Sequence, residues 1–572
     1  MLIRALVVTR QELKISRSTT SPTVESQSAC SQASLTICVS RQKQNGRSIY
    51  AYNSWIRRKE RRIVLDETVR KRKQEREESV KWALEVAQKT DEKLRAEIGA
   101  LDFEQLREKL STGSISCVDA VRTYLGKAVE AHQKTNAVCM FVKEAEQWAQ
   151  EWDDKASDPT FVKPPLFGLP ISLKECVPLG GYDQTRGFVQ DVFKPTKDDS
   201  VLVQQIKMLG AIPYVQTNVP QSLLAYNCAN PIYGTTCNPF DETRTSGGSS
   251  GGESALLAAD GSLLGVGGDV GRPLVNSNDG PMAKDIKTNV EFLRAVWKDN
   301  WAHDQDPYVP PVPWREELYQ EGKTYTIGYY TDDGWFKPTP SCQRAVMEAK
   351  EHLERAGHKL VPFHPPQVNN VMRWFVRALS VDAGQFLLKK MLNDIIEPSI
   401  SGTVMMYMIP VWFQRLLSYP VSFFFPRLSG LLTALTTSTI ELREGYAAIE
   451  KYRGEFTELM LNDKIDLLLC PVTVYPAPQH NIPAKMFSAV SYTGIFNMLD
   501  FGAGVVNVTK VTKKDEEELQ DYPETDLWYK MAKKATMGAV GLPVGAQIAG
   551  PPYREEAVLR ALRDIEIAVT GK

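Results

Sequence analysis

Between Leu166 and about Gly271, short apolar runs alternate with Gly-rich turns and amphipathic stretches. Pro170-Ile171-Ser172-Leu173 reads as a strand. Val201 to Leu209 has helical spacing and stops at Gly210, and Ala211 to Val215 reads as a strand again. The theme returns later: a strand at Tyr325–Tyr329, a helix over Cys342–Ala356, a strand at Lys359–Phe363, strands at Ile465–Cys470 and Ala503–Val508, and a last helix after Pro552. Strands and helices in alternation pack as a sheet covered by helices, so the pattern predicts an α/β fold with a large mixed, twisted sheet.

The N-terminal part differs. The first 50 residues are rich in Ser, Thr and Gln with poor periodicity, and 1–54 is expected to be a disordered N-terminal segment. Residues 55–98 are charged and nearly free of Gly and Pro, which predicts a helical extension with apolar positions at Ile63, Val64, Val69, Val80, Trp82, Leu84 and Val86. Its basic clusters, Arg57 to Arg62 and Arg70 to Lys73, are interleaved with Glu60, Glu75, Glu77 and Glu78, as on a solvated helix face. A further domain is expected over 99–572, with Ser114 to Val121 reading as a capped helix start.

Several function classes are disfavoured. The net charge of −1 over 572 residues supplies no field to recruit nucleic acid. Nine cysteines and six histidines are scattered without a CxxC pair or zinc spacing, so no metal is expected and the thiols read as small buried hydrophobes in a reducing compartment. No run of eighteen apolar residues occurs. Residues 404–435 are nonetheless strongly apolar, with Arg415, Arg427 and three prolines interrupting them. They read as two short amphipathic helices lying in a membrane surface, with Phe423-Phe424-Phe425 as the contact.

The chemistry concentrates in two places. Ser246-Gly247-Gly248-Ser249-Ser250-Gly251-Gly252 precedes an apolar helical run, so backbone N–H groups point into a flexible loop. No GK[ST] follows, which argues against a phosphate loop, and no cofactor is expected. Upstream, Phe167-Gly168-Leu169-Pro170-Ile171-Ser172-Leu173-Lys174 places a lysine at the end of an apolar strand. Together, Gly-x-Pro-x-x-x-Lys and the Gly-Gly-Ser-Ser-Gly-Gly loop resemble the amidase signature family. Gly210-Ala211-Ile212, Thr217-Asn218-Val219-Pro220 and Gly541-Leu542-Pro543-Val544-Gly545 also fit, and the resemblance runs from about residue 100 to the C-terminus. Within the family, Ser172 to Cys176, Asn218 to Ser222, Ser491-Tyr492-Thr493 and Leu499 to Val506 are most similar to members that hydrolyse fatty acyl amides. The segment 404–435 resembles their membrane-docking cap.

The resemblance implies a Ser–Ser–Lys triad. Lys174 would be the base, Ser249 would relay the proton across a cis peptide bond, and a second serine would attack the carbonyl. A lysine accepts a proton only when neutral, which burial favours. Leu223 matches a substrate-channel position, and Val270 and Gly271 match oxyanion-hole backbone. There the pattern breaks. The family continues Gly-Gly-Ser-(Ile/Val)-Arg, whereas this chain reads Gly271-Arg272-Pro273-Leu274, with Arg272 at the second glycine and Pro273 at the attacking serine. Proline has neither a hydroxyl nor an N–H. The pattern resumes at Gly280 to Asp285; roughly thirty residues, including core strand, are missing after Gly271, a void that a packed core does not absorb. Ser277, in a polar turn, is a poor replacement.

The expectation is therefore a fatty acyl amide hydrolase by descent, with little or no turnover in this exact chain. A non-catalytic lipid-binding or membrane-surface protein is the main alternative, and an amidase of small polar amides a third. The expected partners are a fatty acyl amide and a membrane surface; a homodimer is compatible with the sequence. The resemblance places such a protein peripherally or monotopically on an endomembrane, such as the endoplasmic reticulum.

Overall fold

The computed structural model of the chain describes residues 31–269 and 278–571. It divides into two units, the residues up to Ile63 and Val64–Lys572. The first contains the beginning of helix α1 (Ser31–Ala87), which starts upstream of residue 55.

From Val64 onward α1 lies on the body of the second unit, so the division does not fall at residue 98. Its buried face is Leu65, Arg72, Ser79 and Val86, at seven-residue spacing, with Ala83 beside them. That spacing keeps one side of a helix against its neighbour. Val64 and Leu84, expected in the core, are exposed, because the buried stripe contains two polar residues. Arg72 is not part of a solvated face: it donates to Asp183 at 2.5 Å, and its guanidinium lies 4.7 Å over the Phe193 ring. Arg70 does face solvent and pairs with Glu67.

Helix α2 (Cys117–Thr135) starts where the sequence predicts, with the Ser116 hydroxyl accepting from the Asp119 N–H at 3.0 Å. It packs on the first sheet, formed by β1 (Val138–Phe141), β2 (Pro170–Lys174), β3 (Ile212–Thr217), β5 (Leu264–Asp269) and β6 (Asn278–Ala283), in the order β1-β3-β2-β5-β6. A short strand β4 (Asp241–Thr245) leads toward the Gly/Ser loop and α3 (Gly251–Ala258). β2 pairs in parallel with β3 and β5, and both β2 and β3 are buried along their whole length, as central parallel strands are. β6 runs antiparallel to β5 on the sheet's edge, where Pro281 opposite Val266 is tolerated.

The second sheet contains β7 (Thr326–Tyr329), β8 (Lys359–Pro362), β9 (Leu467–Pro471), β10 (Gly502–Lys510) and β11 (Pro543–Gly550), in the order β8-β7-β9-β11-β10. Helices α4 (Pro340–Arg355) and α8 (Glu555–Thr570) cover one of its faces. The α/β reading and the mixed strand directions hold. The single large sheet resolves into two sheets of five strands among the described residues. Between α4 and α8, the apolar segment forms α5 (Ser401–Met408), α6 (Val411–Ser422) and α7 (Pro426–Leu432), three short helices where two are expected. No described helix is long and apolar enough to cross a membrane.

Candidate active site

Lys174 closes β2. Its side chain is 1% exposed, because the strand is buried on both sides and ends under the Gly/Ser loop. Its Nζ donates to Ser249 Oγ at 2.8 Å and to the Gly268 carbonyl. The same carbonyl accepts from Ser250 Oγ at 3.1 Å, and the Gly268 N–H donates back to Ser250 Oγ at 3.2 Å. Two elements far apart in sequence, the end of β2 and the end of β5, thus clamp the loop from both sides. The Gly248–Ser249 peptide is cis, as the resemblance implies.

Glycine is required here by contact and by conformation. A Cβ at Gly252 would stand 2.3 Å from the Asn218 N and 2.5 Å from its carbonyl, so α3 could not seat against the end of β3. Gly247 has φ of 95°, a region that L side chains rarely adopt.

Beneath the loop lies a residue that the sequence reading did not single out. Glu253 is fully buried; its carboxyl accepts from Ser172 Oγ at 2.7 Å and from Thr217 Oγ1 at 2.8 Å. Burial pushes it up to about 7, against the pull of those two hydroxyls and of Lys174. Ser172 stands two residues before Lys174 on one strand, and i, i+2 residues share a sheet face. That spacing was the available signal. Asp279, at the solvent edge on β6, lies within electrostatic range of Lys174; desolvation of its carboxyl outweighs the pull of that amine and raises it to about 6. Cys176 is pushed up to about 12 by burial, so it is held as a thiol.

Leu223 lies in the turn Gln221–Leu223, where Ser222 and Leu223 have φ of 69° and 61°. Adjacent non-glycine residues in this region are rare and mark a turn held by its surroundings. Here the Ser222 N–H is fixed by the Arg186 carbonyl and the Leu223 N–H by the Pro220 carbonyl. The turn leads directly to Ala225, against which Gly248 packs: a Cβ on Gly248 would meet the Ala225 carbonyl at 2.5 Å. The structure therefore brings Lys174 and Ser249 together with the Leu223 turn close by. Val270, Gly271, Arg272 and Pro273 lie outside the described residues, as does Ser277.

Comparison with known proteins gives the class first. The amidase family model matches residues 119–272 and 271–559, so the chain belongs to the amidase signature family of hydrolases, which act on carbon–nitrogen bonds other than peptide bonds. More narrowly, it is 54% identical over 543 positions to "Fatty acid amide hydrolase 1" of Caenorhabditis elegans, covering 89% of this chain and 95% of that protein. It is 35% identical over 529 positions to "Fatty-acid amide hydrolase 1" of Sus scrofa, covering 85% and 90%. A solved "Fatty acid amide hydrolase" shares the fold, with a TM-score of 0.73 at 23% identity over 88% of this chain and 95% of that one. Two details bear on the break in pattern. The two family-model segments meet at 271–272, where the motif fails. And 89% of 572 residues is about 509, so the match over 543 positions includes about 34 that this chain lacks.

Proposed function

We propose that the chain is built as a hydrolase of fatty acyl amides, releasing a fatty acid and an amine, and that as it stands it turns over little or no amide. The contact of Lys174 Nζ with Ser249 Oγ at 2.8 Å carries the reading. In a relative with the attacking serine present, Lys174 draws a proton through Ser249 from that serine, whose oxygen bonds the acyl carbon. Lys174 then returns a proton to the departing amine. In this chain the attacking position holds Pro273, which cannot donate a proton to Ser249 or a hydrogen bond to an oxyanion. A family match that divides at 271–272, where the motif fails, supports loss of the segment that carries the nucleophile.

The apolar segment supports an acyl chain as substrate. An open apolar groove of about 470 Å³ is lined by Ile396, Val404, Met405, Met408, Ile409 and Phe413 among others. A separate, much smaller cavity is lined by Ser222, Leu224, Val404 and Tyr407, beside the Leu223 turn. A small polar amide gains nothing from such a groove. Outside the groove Trp412, Leu416, Tyr419, Phe423 and Phe424 are exposed on α6 and the turn after it, a large contiguous apolar surface that fits a peripheral or monotopic membrane contact. Arg427 is turned inward, onto Asp526 and the Phe336 and Tyr529 rings, and so leaves the three phenylalanines uncharged company. The second reading, a lipid-binding surface protein without chemistry, is favoured by Pro273 alone and keeps the same cap.

The test compares the full chain with a version in which the absent segment is restored from the Caenorhabditis elegans relative. Each is given a long-chain primary fatty amide in detergent, or acetamide, and the released acid is read by mass spectrometry. The restored chain is expected to cleave the long-chain amide at least about 10³-fold faster than the present chain. Enzyme-like turnover by the present chain would refute the role given to Pro273. A restored chain that prefers acetamide would refute the lipid reading.

A further inference from the structure

We infer that Ser249 is itself an acyl acceptor in this chain, and that Lys174 and Ser249 form a two-residue dyad reactive toward activated acyl esters. The inference uses the same contact as the proposed function but does not depend on the lipid-amide reading.

Three independent features converge on the Ser249 hydroxyl. First, Lys174 is its hydrogen-bond partner among the described residues, at 2.8 Å. Lys174 is buried while Ser249 is partly exposed, so the hydroxyl stands where a buried amine meets solvent. Second, the amine is oriented. Nζ donates to the Gly268 carbonyl as well as to Ser249 Oγ, and these two contacts hold the amine against the hydroxyl. Among the described residues no carboxylate lies within ion-pair distance of Lys174, and the carboxyl of Glu253 is occupied by Ser172 and Thr217. Asp279 also lies within electrostatic range of the amine.

Third, the sequence around Ser249 has the spacing of a nucleophile turn. Gly247-Gly248-Ser249-Ser250-Gly251 has the spacing G-x-S-x-G and connects strand β4 to helix α3, with the serine at the turn. In that arrangement the N–H of the residue after the serine stabilises the oxyanion. Here the N–H groups of Ser250 and Gly251 have no acceptor among the described residues, and they stand at the start of α3, where the helix favours negative charge. In a relative with an attacking serine on the neighbouring strand, that serine intercepts the acyl group. With proline at that position of the sequence, the hydroxyl bonded to the base is that of Ser249.

The steps balance. The Lys174 lone pair takes the Ser249 proton as Oγ bonds the acyl carbon, and the carbonyl oxygen becomes the oxyanion. The ester C–O bond then breaks, and the leaving oxygen takes the proton from Lys174. Water next gives a proton to Lys174, its oxygen attacks the acyl-Ser249, and the acid departs as Ser249 recovers its proton. Activated esters fit this dyad better than amides, because an aryl oxide departs with little help whereas an amine must be protonated first.

The full chain is treated with a fluorophosphonate probe and mapped by peptide mass spectrometry, and in parallel with a p-nitrophenyl ester of a medium-chain acid. One label per chain on Ser249 and a burst of p-nitrophenol are expected. Ser249→Ala abolishes both, and Lys174→Ala slows labelling at least about 100-fold. A folded wild-type chain that takes no label, or takes it on Ser277 or elsewhere, overturns the dyad. Because the site is mapped on the wild-type chain, an unstable variant does not blunt the test. The two readings separate cleanly: labelling of Ser249 alongside a restored chain that ignores long-chain amides keeps the dyad and removes the lipid reading.

Discussion

Glu253 shows how much a single buried group can tie stability to acidity. Its carboxyl stands at about 7 in the folded chain against an ordinary value of 4.5, with burial the main cause. Between those values the folded state holds a proton that the unfolded chain has released, so stability declines as pH rises from about 4.5 through 7, by up to about 3 kcal/mol. Glu253→Gln is expected to flatten that decline, read as the shift in unfolding midpoint between pH 5 and pH 7.5. Asp279, raised to about 6, acts in the same direction and leaves a smaller slope behind. An unchanged slope in the variant would place the acid sensitivity elsewhere. Glu253 was visible in the sequence as the residue after Gly252, but nothing local told it from a solvent-facing acid in a first helical turn. Its burial comes from Ser172 and Thr217, on two strands that approach α3 only in the folded chain.

At the level of the element, α1 depends on an ion pair that its own sequence conceals. Arg72 and Asp183 are both nearly buried, and Asp183 also accepts from the Phe193 N–H at 2.6 Å. Removing one partner of a buried pair strands the other charge, so Arg72→Ala should cost about 3 kcal/mol or more. Arg70→Ala, which breaks an exposed pair with Glu67, should cost about 0.5 kcal/mol or less. Denaturant unfolding of both variants measures the contrast; equal effects would mean that α1 is not held through Arg72. The same comparison explains why the basic clusters read as solvated. Charge pattern along a helix reports its neighbours three and four residues away, whereas Asp183 lies 111 residues distant.

For the whole molecule, the exposed aromatics of α6 and the turn after it are the surface that a membrane contact would use. If α6 and the turn after it contact a membrane, replacing Trp412, Phe423 and Phe424 together by Ser should weaken binding to phospholipid vesicles at least about 10-fold, since each buried aromatic is worth about 1.5–3 kcal/mol. Vesicle co-sedimentation reads the change. Binding that survives the triple replacement would move the contact to another face. These residues are exposed, so the replacements leave the core intact.

The sequence by itself determined the class of fold, the strand that ends in Lys174, the Gly/Ser loop and the pairing of the two, because each depends on local patterns: period, glycine and a motif with fixed spacing. It also showed where the family pattern stops, after Gly271, since a motif is read along the chain. Only the tertiary structure decided that the strands form two sheets, that Arg72 faces inward, that the cap has three helices, and that Glu253 and Asp279 approach the lysine. Those facts follow from long-range contacts and desolvation. The free energy of a buried charge is set by what the rest of the chain brings to it, and no local window of residues contains that information.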